Sequence, residues 1–238
     1  MHKALNICLY LGGEEIAKCD GITLEFYSTT TARKFFFQNV RFNKKVNVSF
    51  RDKLSVKIFC FTKYKSKRFP LYEFDLLLLD FDDELRWANG LINNNYDEEY
   101  KQGIINVFNQ WGKNQKIDWF TLPLDTISKS DYISACFYYS SLSTNIVAKD
   151  IYILDVANAK EYRDILYLCA EEFFGDRGYM GHSFHSFADC VLEIGQKLEN
   201  KKIIIKNCKN LVIKDDYFFL QDVMNEFLKY GVSFFMEE

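Results

Sequence analysis

Only two prolines interrupt the 238 residues of this chain. With 48% apolar and 17% aromatic residues, that scarcity favours packed regular structure over disordered linkers. No apolar run approaches the ~20 residues needed to cross a bilayer, so no membrane partner is expected. The opening MHKALNICLYLGGEEIAKCDG carries Gly12-Gly13-Glu14-Glu15 where a small-residue cleavage site would stand. It reads as a first strand and not as a signal peptide. The seven cysteines (Cys8, Cys19, Cys60, Cys136, Cys169, Cys190, Cys208) include no CxxC pair. An odd, scattered set argues against a disulfide framework and a zinc ribbon, and reads as buried free thiols in a reducing cytosol. The expected location is therefore cytoplasmic. GxSxG, P-loop, dinucleotide-fingerprint and HExxH motifs are all missing, so no catalytic residue and no cofactor are assigned. Histidine is scarce too: two of the three, His182 and His185, sit in the stretch GYMGHSFHSFADC, with Asp189 close behind.

What is present divides the chain. The net charge of -3 is unevenly spread. Residues 147–238 carry 16 acids against 11 bases, a net of -5, and residues 1–146 carry 17 acids against 19 bases, a net of +2. A concentrated acidic surface suits a basic protein partner better than nucleic acid.

Up to about residue 81 the sequence reads as strands. Leu54, Val56, Ile58 and Cys60 alternate within LSVKIFCFTKY. VNVSF (Val46–Phe50) and ITLEFY (Ile22–Tyr27) are shorter versions, and LYEFDLLLLDF (Leu71–Phe81) reads as buried on both faces. The turns Asn43-Lys44-Lys45 and Lys65-Ser66-Lys67-Arg68 read as solvated. A helix follows in DEEYKQGIINVFNQW, with Tyr100, Ile104, Val107, Phe108 and Trp111 at helical spacing, and another over Ser130–Tyr139. SSLSTN (Ser140–Asn145) reads as a linker.

Beyond it the pattern changes to strand, helix, helix, strand, helix, strand. DIYIL (Asp150–Leu154) precedes a helix whose apolar residues are Tyr162, Ile165, Leu166, Cys169, Ala170 and Phe173. A Gly-rich loop (Gly175–Gly178) leads to a helix over Gly181–Ile194 that should bury Phe184, Phe187, Ala188, Val191 and Leu192. KIIIK follows, then a helix started by Asp215-Asp216 with a stripe of Leu220, Val223, Met224, Phe227 and Leu228. VSFFM is the last strand. Short loops between these elements predict an α/β domain, a three-stranded parallel sheet covered by helices, over residues 146–238. Residues 1–145 are expected to form a β-rich α+β domain, to which the sequence gives no function.

The second helix of the α/β domain should present His182, His185, Ser186, Asp189 and Glu193 to solvent. Three readings compete for that face. His182, His185 and Asp189 stand at i, i+3 and i+7 and share one face, as zinc ligands can, but no fourth ligand is evident. A solvated polar face is the plainest reading. The third comes from the motif itself. Tyr179, Gly181, Phe187, Asp189 and Cys190, with Gly231 before the last strand and the order of elements, resemble the barstar family of intracellular ribonuclease inhibitors. The family's second tyrosine, first acid and helix aromatic are replaced here by Met180, His185 and Ala188.

That resemblance covers a little over a third of the chain. It implies a barstar-like fold, no metal, and a surface that plugs a nuclease active site. Asp189 would then sit where substrate phosphate binds, Glu226 would add a peripheral contact, and Tyr179, Met180, Gly181, His182, Ser183, His185, Ser186 and Glu193 would complete the contact surface. The implied role is an immunity protein or antitoxin whose partner is a basic nuclease toxin, with no direct contact to nucleic acid. The resemblance is silent on oligomeric state. A competing enzyme reading rests on LLLLDFDDE, where Asp80 and Asp82 resemble the first motif of haloacid-dehalogenase phosphatases. The threonine expected two residues after Asp82 is Glu84.

Overall fold

The structure, a computed structural model, describes residues 5–25, 33–43, 47–63, 68–92, 100–140, 144–210 and 216–237. The chain divides into two compact units, Met1–Ile117 and Asp118–Glu238.

The first unit is built on β1 (Leu5–Leu11), β2 (Glu14–Cys19), β3 (Gly21–Glu25), β4 (Arg33–Gln38), β5 (Arg41–Phe42), β6 (Lys53–Phe61), β7 (Arg68–Asp82) and β8 (Trp87–Ile92). All pair antiparallel in the order β3-β4-β8-β7-β6-β1-β2-β5. Only Asp20 separates β2 from β3, and only Asn39 and Val40 separate β4 from β5. Because β2 pairs with β5 and β3 with β4, the two ends of that order belong to one bent hairpin. The ladders therefore close into a ring, which leaves few free strand edges. Strand β6 shows how sequence sets the inner face: Leu54, Val56, Ile58 and Cys60 are fully buried while the residues between them are not. Helix α1 (Gln102–Gly112) buries Ile104, Ile105, Val107, Phe108 and Trp111. Its first residue is tied to β3, since Leu24 N–H donates to Gln102 Oε1 (3.0 Å) and Gln102 Nε2 donates to the Ile22 carbonyl (3.2 Å).

Two local expectations change in this unit. Residues 47–49 form no strand; the Ser49 N–H donates to Asp52 Oδ2 at 2.7 Å, so turn chemistry prevails over the alternation of VNVSF. Strand β7 is not buried on both faces, because ordinary alternation leaves Leu77 39% exposed. Residues 26–27, 44–46, 64–67 and 97–99, which carried parts of the expected strands, turns and first helix, lie outside the described residues.

The second unit contains β9 (Ile151–Asp155), α3 (Tyr162–Phe174), α4 (Phe184–Ile194), β10 (Lys202–Lys206), α5 (Asp216–Leu228) and β11 (Ser233–Glu237). The three strands form the expected parallel sheet, with β10 central. Tyr152, Leu154, Ile203 and Ile205 point from the sheet into one core with Ile165, Leu166, Cys169, Ala170 and Phe173 of α3. Asp215 of the expected N-cap pair lies outside the described residues, as do 141–143 of the expected linker.

The unit starts earlier than the sequence suggested, at residue 118 instead of about 146. A helical turn (Trp119–Thr121) and α2 (Lys129–Ser140) belong to it. Trp119 is 1% exposed and stacks on Tyr167 of α3 with centroids 4.6 Å apart. Its indole Nε1 donates to Asp164 Oδ1 at 2.7 Å, and Lys129 Nζ reaches the same oxygen. Residues 118–238 expressed alone should therefore unfold in one cooperative transition. A fragment starting at 146 should expose the surface that Trp119 and α2 cover and bind a hydrophobic dye. Equal melting temperatures and dye binding for the two fragments would refute this assignment.

Candidate functional site

The loop into α4 is shaped by two glycines with no room for a side chain. A Cβ on Gly178 would stand 2.3 Å from the Ala170 carbonyl oxygen, and one on Gly181 2.5 Å from the Phe187 nitrogen. Gly181 also holds φ at +95°, which a residue with a Cβ rarely adopts. The tight turn drives Met180 into the core, where it is 1% exposed. Ser183 then caps the helix. Its Oγ accepts from the Ser186 N–H, and Ser186 Oγ accepts from the N–H groups of His182 (2.8 Å) and Ser183 (3.0 Å).

This cap begins α4 at Phe184, three residues later than expected. His182 therefore precedes the helix, and the single face of His182, His185 and Asp189 needed for zinc does not form. Among the described residues no three His, Cys, Asp or Glu side chains are grouped to hold a metal ion. Burial, followed by the Asp189 and Glu193 carboxylates, pushes the Cys190 thiol up to about 11. Burial thus favours its neutral thiol over the thiolate.

The buried stripe of α4 is Phe187, Cys190, Val191 and Ile194. The expected stripe shared Phe187 and Val191 but included Ala188 and Leu192, so its centre lies roughly 80° round the helix from the observed one. At about 100° per residue, Leu192 lies roughly 150° from the observed stripe. It is 63% exposed, the highest value among the large apolar side chains described in the second unit. His185, Asp189 and Leu192 thus form the outward ridge of the helix, with Glu193 on its flank. Asp189 makes no side-chain hydrogen bond or ion pair among the described residues.

The ten residues expected to contact a partner separate accordingly. His185, Asp189 and Glu193 are exposed on α4. Ser183 and Ser186 are engaged in capping. Met180 and Gly181 are buried, which corrects their expected place on the contact surface. Tyr179 is half-buried, its ring 5.0 Å from Phe137 of α2 and 5.6 Å from His182. Burial pushes its phenol up to about 12, with Cys190 adding to the rise and a bond from Ser186 opposing it. Glu226 is only 14% exposed, and Lys229 Nζ holds its carboxylate at 2.6 Å. Leu192 and Phe137 were missed. The first was hidden because Leu192 also continues an apolar row with Phe184 and Ala188; the second had no signal, because nothing in the sequence joins α2 to this loop.

The aspartates of the phosphatase-like stretch have local roles. Asp82 Oδ1 accepts from the Leu85 N–H at 2.7 Å and shapes the β7–β8 hairpin, while Asp80 Oδ1 accepts from the Phe81 N–H at 2.9 Å. Their strand lies in an antiparallel sheet, unlike the parallel sheet that motif belongs to. No helix among the described residues is long and apolar enough to cross a membrane. No protein-family model, curated protein or solved structure matches this chain.

Proposed function

We propose that this chain is a cytoplasmic immunity protein or antitoxin whose second unit, a barstar-like domain, binds a basic nuclease toxin and occludes its active site. The observation that carries this reading is the ridge of α4. An unpaired carboxylate, Asp189, stands on a capped helix one turn from an exposed leucine, Leu192, and from His185. A carboxylate fixed on a rigid element costs little conformational entropy when it meets an arginine or a protonated histidine, and a charge-assisted bond of that kind is about twice as strong as a neutral one. Leu192 supplies the apolar surface that would shield such a pair from water. The net charge of -5 over residues 147–238 favours encounter with a basic cleft.

The geometry narrows the contact surface relative to the family resemblance. Met180 and Gly181 shape the loop from beneath, and α2 lies against Tyr179, so the proposed surface runs along α4 instead of through the loop. A cleft that receives it must accept a helix ridge.

The reading frame beside this one provides the test. Its product should arrest growth and degrade nucleic acid when made alone, and should be harmless when made together with this chain. A neighbour of metabolic type, or toxicity that this chain does not relieve, would refute the proposal.

A further inference from the structure

The outer face of the first unit's sheet holds a covered polar side chain that the fold does not use. In β8, Ala88 lies opposite the buried Phe37 and faces the core, so its neighbours Trp87 and Asn89 face outward. The register sets Asn89 between Phe36 of β4 and Asp80 of β7, and sets Asp82 opposite Trp87. The half-buried rings of Phe36 and Trp87 stack, with centroids 5.9 Å and planes 21° apart.

Asn89 is only 9% exposed, yet its carboxamide makes no hydrogen bond among the described residues. Asparagine is disfavoured within strands, and a covered polar group normally has a partner. No fully buried side-chain nitrogen or oxygen among the described residues lacks one, so the amide atoms of Asn89 still open to solvent. They are placed to meet a group that arrives from outside.

The charge beside them is of one sign. Asp80, Asp82, Asp83 and Glu84 make no ion pair among the described residues. Arg86 is the only base from residue 80 to residue 92, which leaves a net charge of -3 there. Asp80 and Asp82 each accept a backbone N–H through Oδ1, and Oδ2 of both is uncommitted. These carboxylates are not grouped to hold a metal ion, so the cation that fits is an organic one.

We infer that this face binds an arginine side chain presented by a basic segment of a protein partner. A guanidinium stacks on aromatic rings and carries five N–H groups in one plane. Neighbouring strands lie about 4.8 Å apart, and alternate residues of one strand about 6.8 Å apart. A guanidinium laid on the Phe36–Trp87 surface therefore has Asn89 Oδ1 and the Oδ2 atoms of Asp80 and Asp82 around it as acceptors. The carboxamide gains the bond it lacks. Lysine has no plane to stack and fewer donors, so arginine is preferred. Single-stranded nucleic acid also stacks on aromatic rings, but it would bring phosphates to four unpaired carboxylates. The inference does not rest on the proposed function, since it concerns the first unit and its test needs no toxin.

The test is fluorescence anisotropy of a labelled, N-acetylated tetra-arginine peptide titrated with the full chain to about 1 mM. The peptide should bind with a Kd below about 0.5 mM. Tetra-lysine should bind at least about threefold more weakly, and tetra-citrulline, uncharged and of similar shape, at least about tenfold. Trp87→Leu keeps apolar bulk and Asp80→Asn keeps the Oδ1 acceptor, and each should weaken binding by about fivefold or more. Asn89→Ala should weaken it by about threefold or more and leave the melting temperature unchanged, because the carboxamide has no bond to lose. Asp75→Asn removes an equal charge from the same strand, more than a screening length from Asp80, and should change affinity by less than about 1.5-fold. Thermal melts of each variant separate lost binding from lost fold. Four results overturn the inference: no binding at about 1 mM, lysine and arginine peptides bound equally, folded variants at Trp87, Asp80 and Asn89 that bind like the parent, or equal effects of Asp75→Asn and Asp80→Asn. So does a single-stranded oligonucleotide that binds more tightly than the peptide and is lost with Trp87→Leu.

Discussion

Replacing Asp164 by alanine should destabilise the second unit by about 3–5 kcal/mol, the usual cost of breaking a buried ionic pair from one side. Asp164 is fully buried, and its carboxylate accepts four bonds. Oδ1 takes the Trp119 indole (2.7 Å) and the Lys129 ammonium (2.6 Å); Oδ2 takes the backbone N–H groups of Lys160 (2.6 Å) and Glu161 (3.1 Å). Alanine would leave those donors facing an apolar methyl, and the Lys129 charge, only 14% exposed, would keep Glu161 alone at 2.9 Å. Burial pulls the Lys129 ammonium down, but its bonds to Asp164 and Glu161 outweigh that and leave it above its ordinary value. The loss should appear as a fall of roughly 12–20 °C in melting temperature. Trp119→Phe keeps most of the stacking on Tyr167 and removes one donor, so it should cost about 1.5–3 kcal/mol. Denaturant melts of residues 118–238 measure both. A loss below about 1 kcal/mol for Asp164→Ala would mean that this network does not hold the segment 118–140 to α3.

The same residue shows where the sequence stopped being legible. The apolar stripe of α3 could be read from spacing alone, and every position in it packs into the core. The three strands and their parallel order followed from short loops around that helix. Asp164, however, reads locally as an acid in the first turn of a helix, a role it does have in the capping box with Glu161. Its second role, holding an indole 45 positions away, leaves no local trace. The unit boundary was therefore placed at the nearest Ser-rich stretch instead of before Trp119. Ring closure in the first unit was hidden for a related reason, because β4 and β5 continue one another while pairing with strands at opposite ends of the sheet order. In α4 the helix was legible but its phase was not. Phe184, Ala188 and Leu192 form a plausible apolar row, and only packing shows that Cys190 and Ile194 belong inside and Leu192 outside.

That phase places the most consequential substitution for binding. On the proposed function, Asp189→Ala should weaken binding of the nuclease toxin at least thirtyfold and act mainly through faster dissociation. A nuclease cleft is lined with cations that hold phosphate, and a carboxylate inserted among them replaces that charge. Once such a pair is desolvated, removing one member costs roughly 2–5 kcal/mol, because the cations are left buried without a partner. Each 1.4 kcal/mol is about a factor of ten in affinity, and changes within one interface fall mostly on the off-rate. Glu193 offers the control, being an exposed acid of the same helix that lies off the ridge formed by His185, Asp189 and Leu192. Glu193→Ala should change affinity by less than about threefold, as rim charges do. Leu192→Ala should fall between the two if the leucine seals the pair from water. None of the three should lower the melting temperature appreciably, since all three side chains are exposed and fill no core space. Dissociation rates against the toxin from the neighbouring reading frame, measured beside thermal melts of each variant, give the comparison. Equal and small effects of Asp189→Ala and Glu193→Ala would make Asp189 ordinary surface, and the binding face would have to be sought elsewhere on the chain.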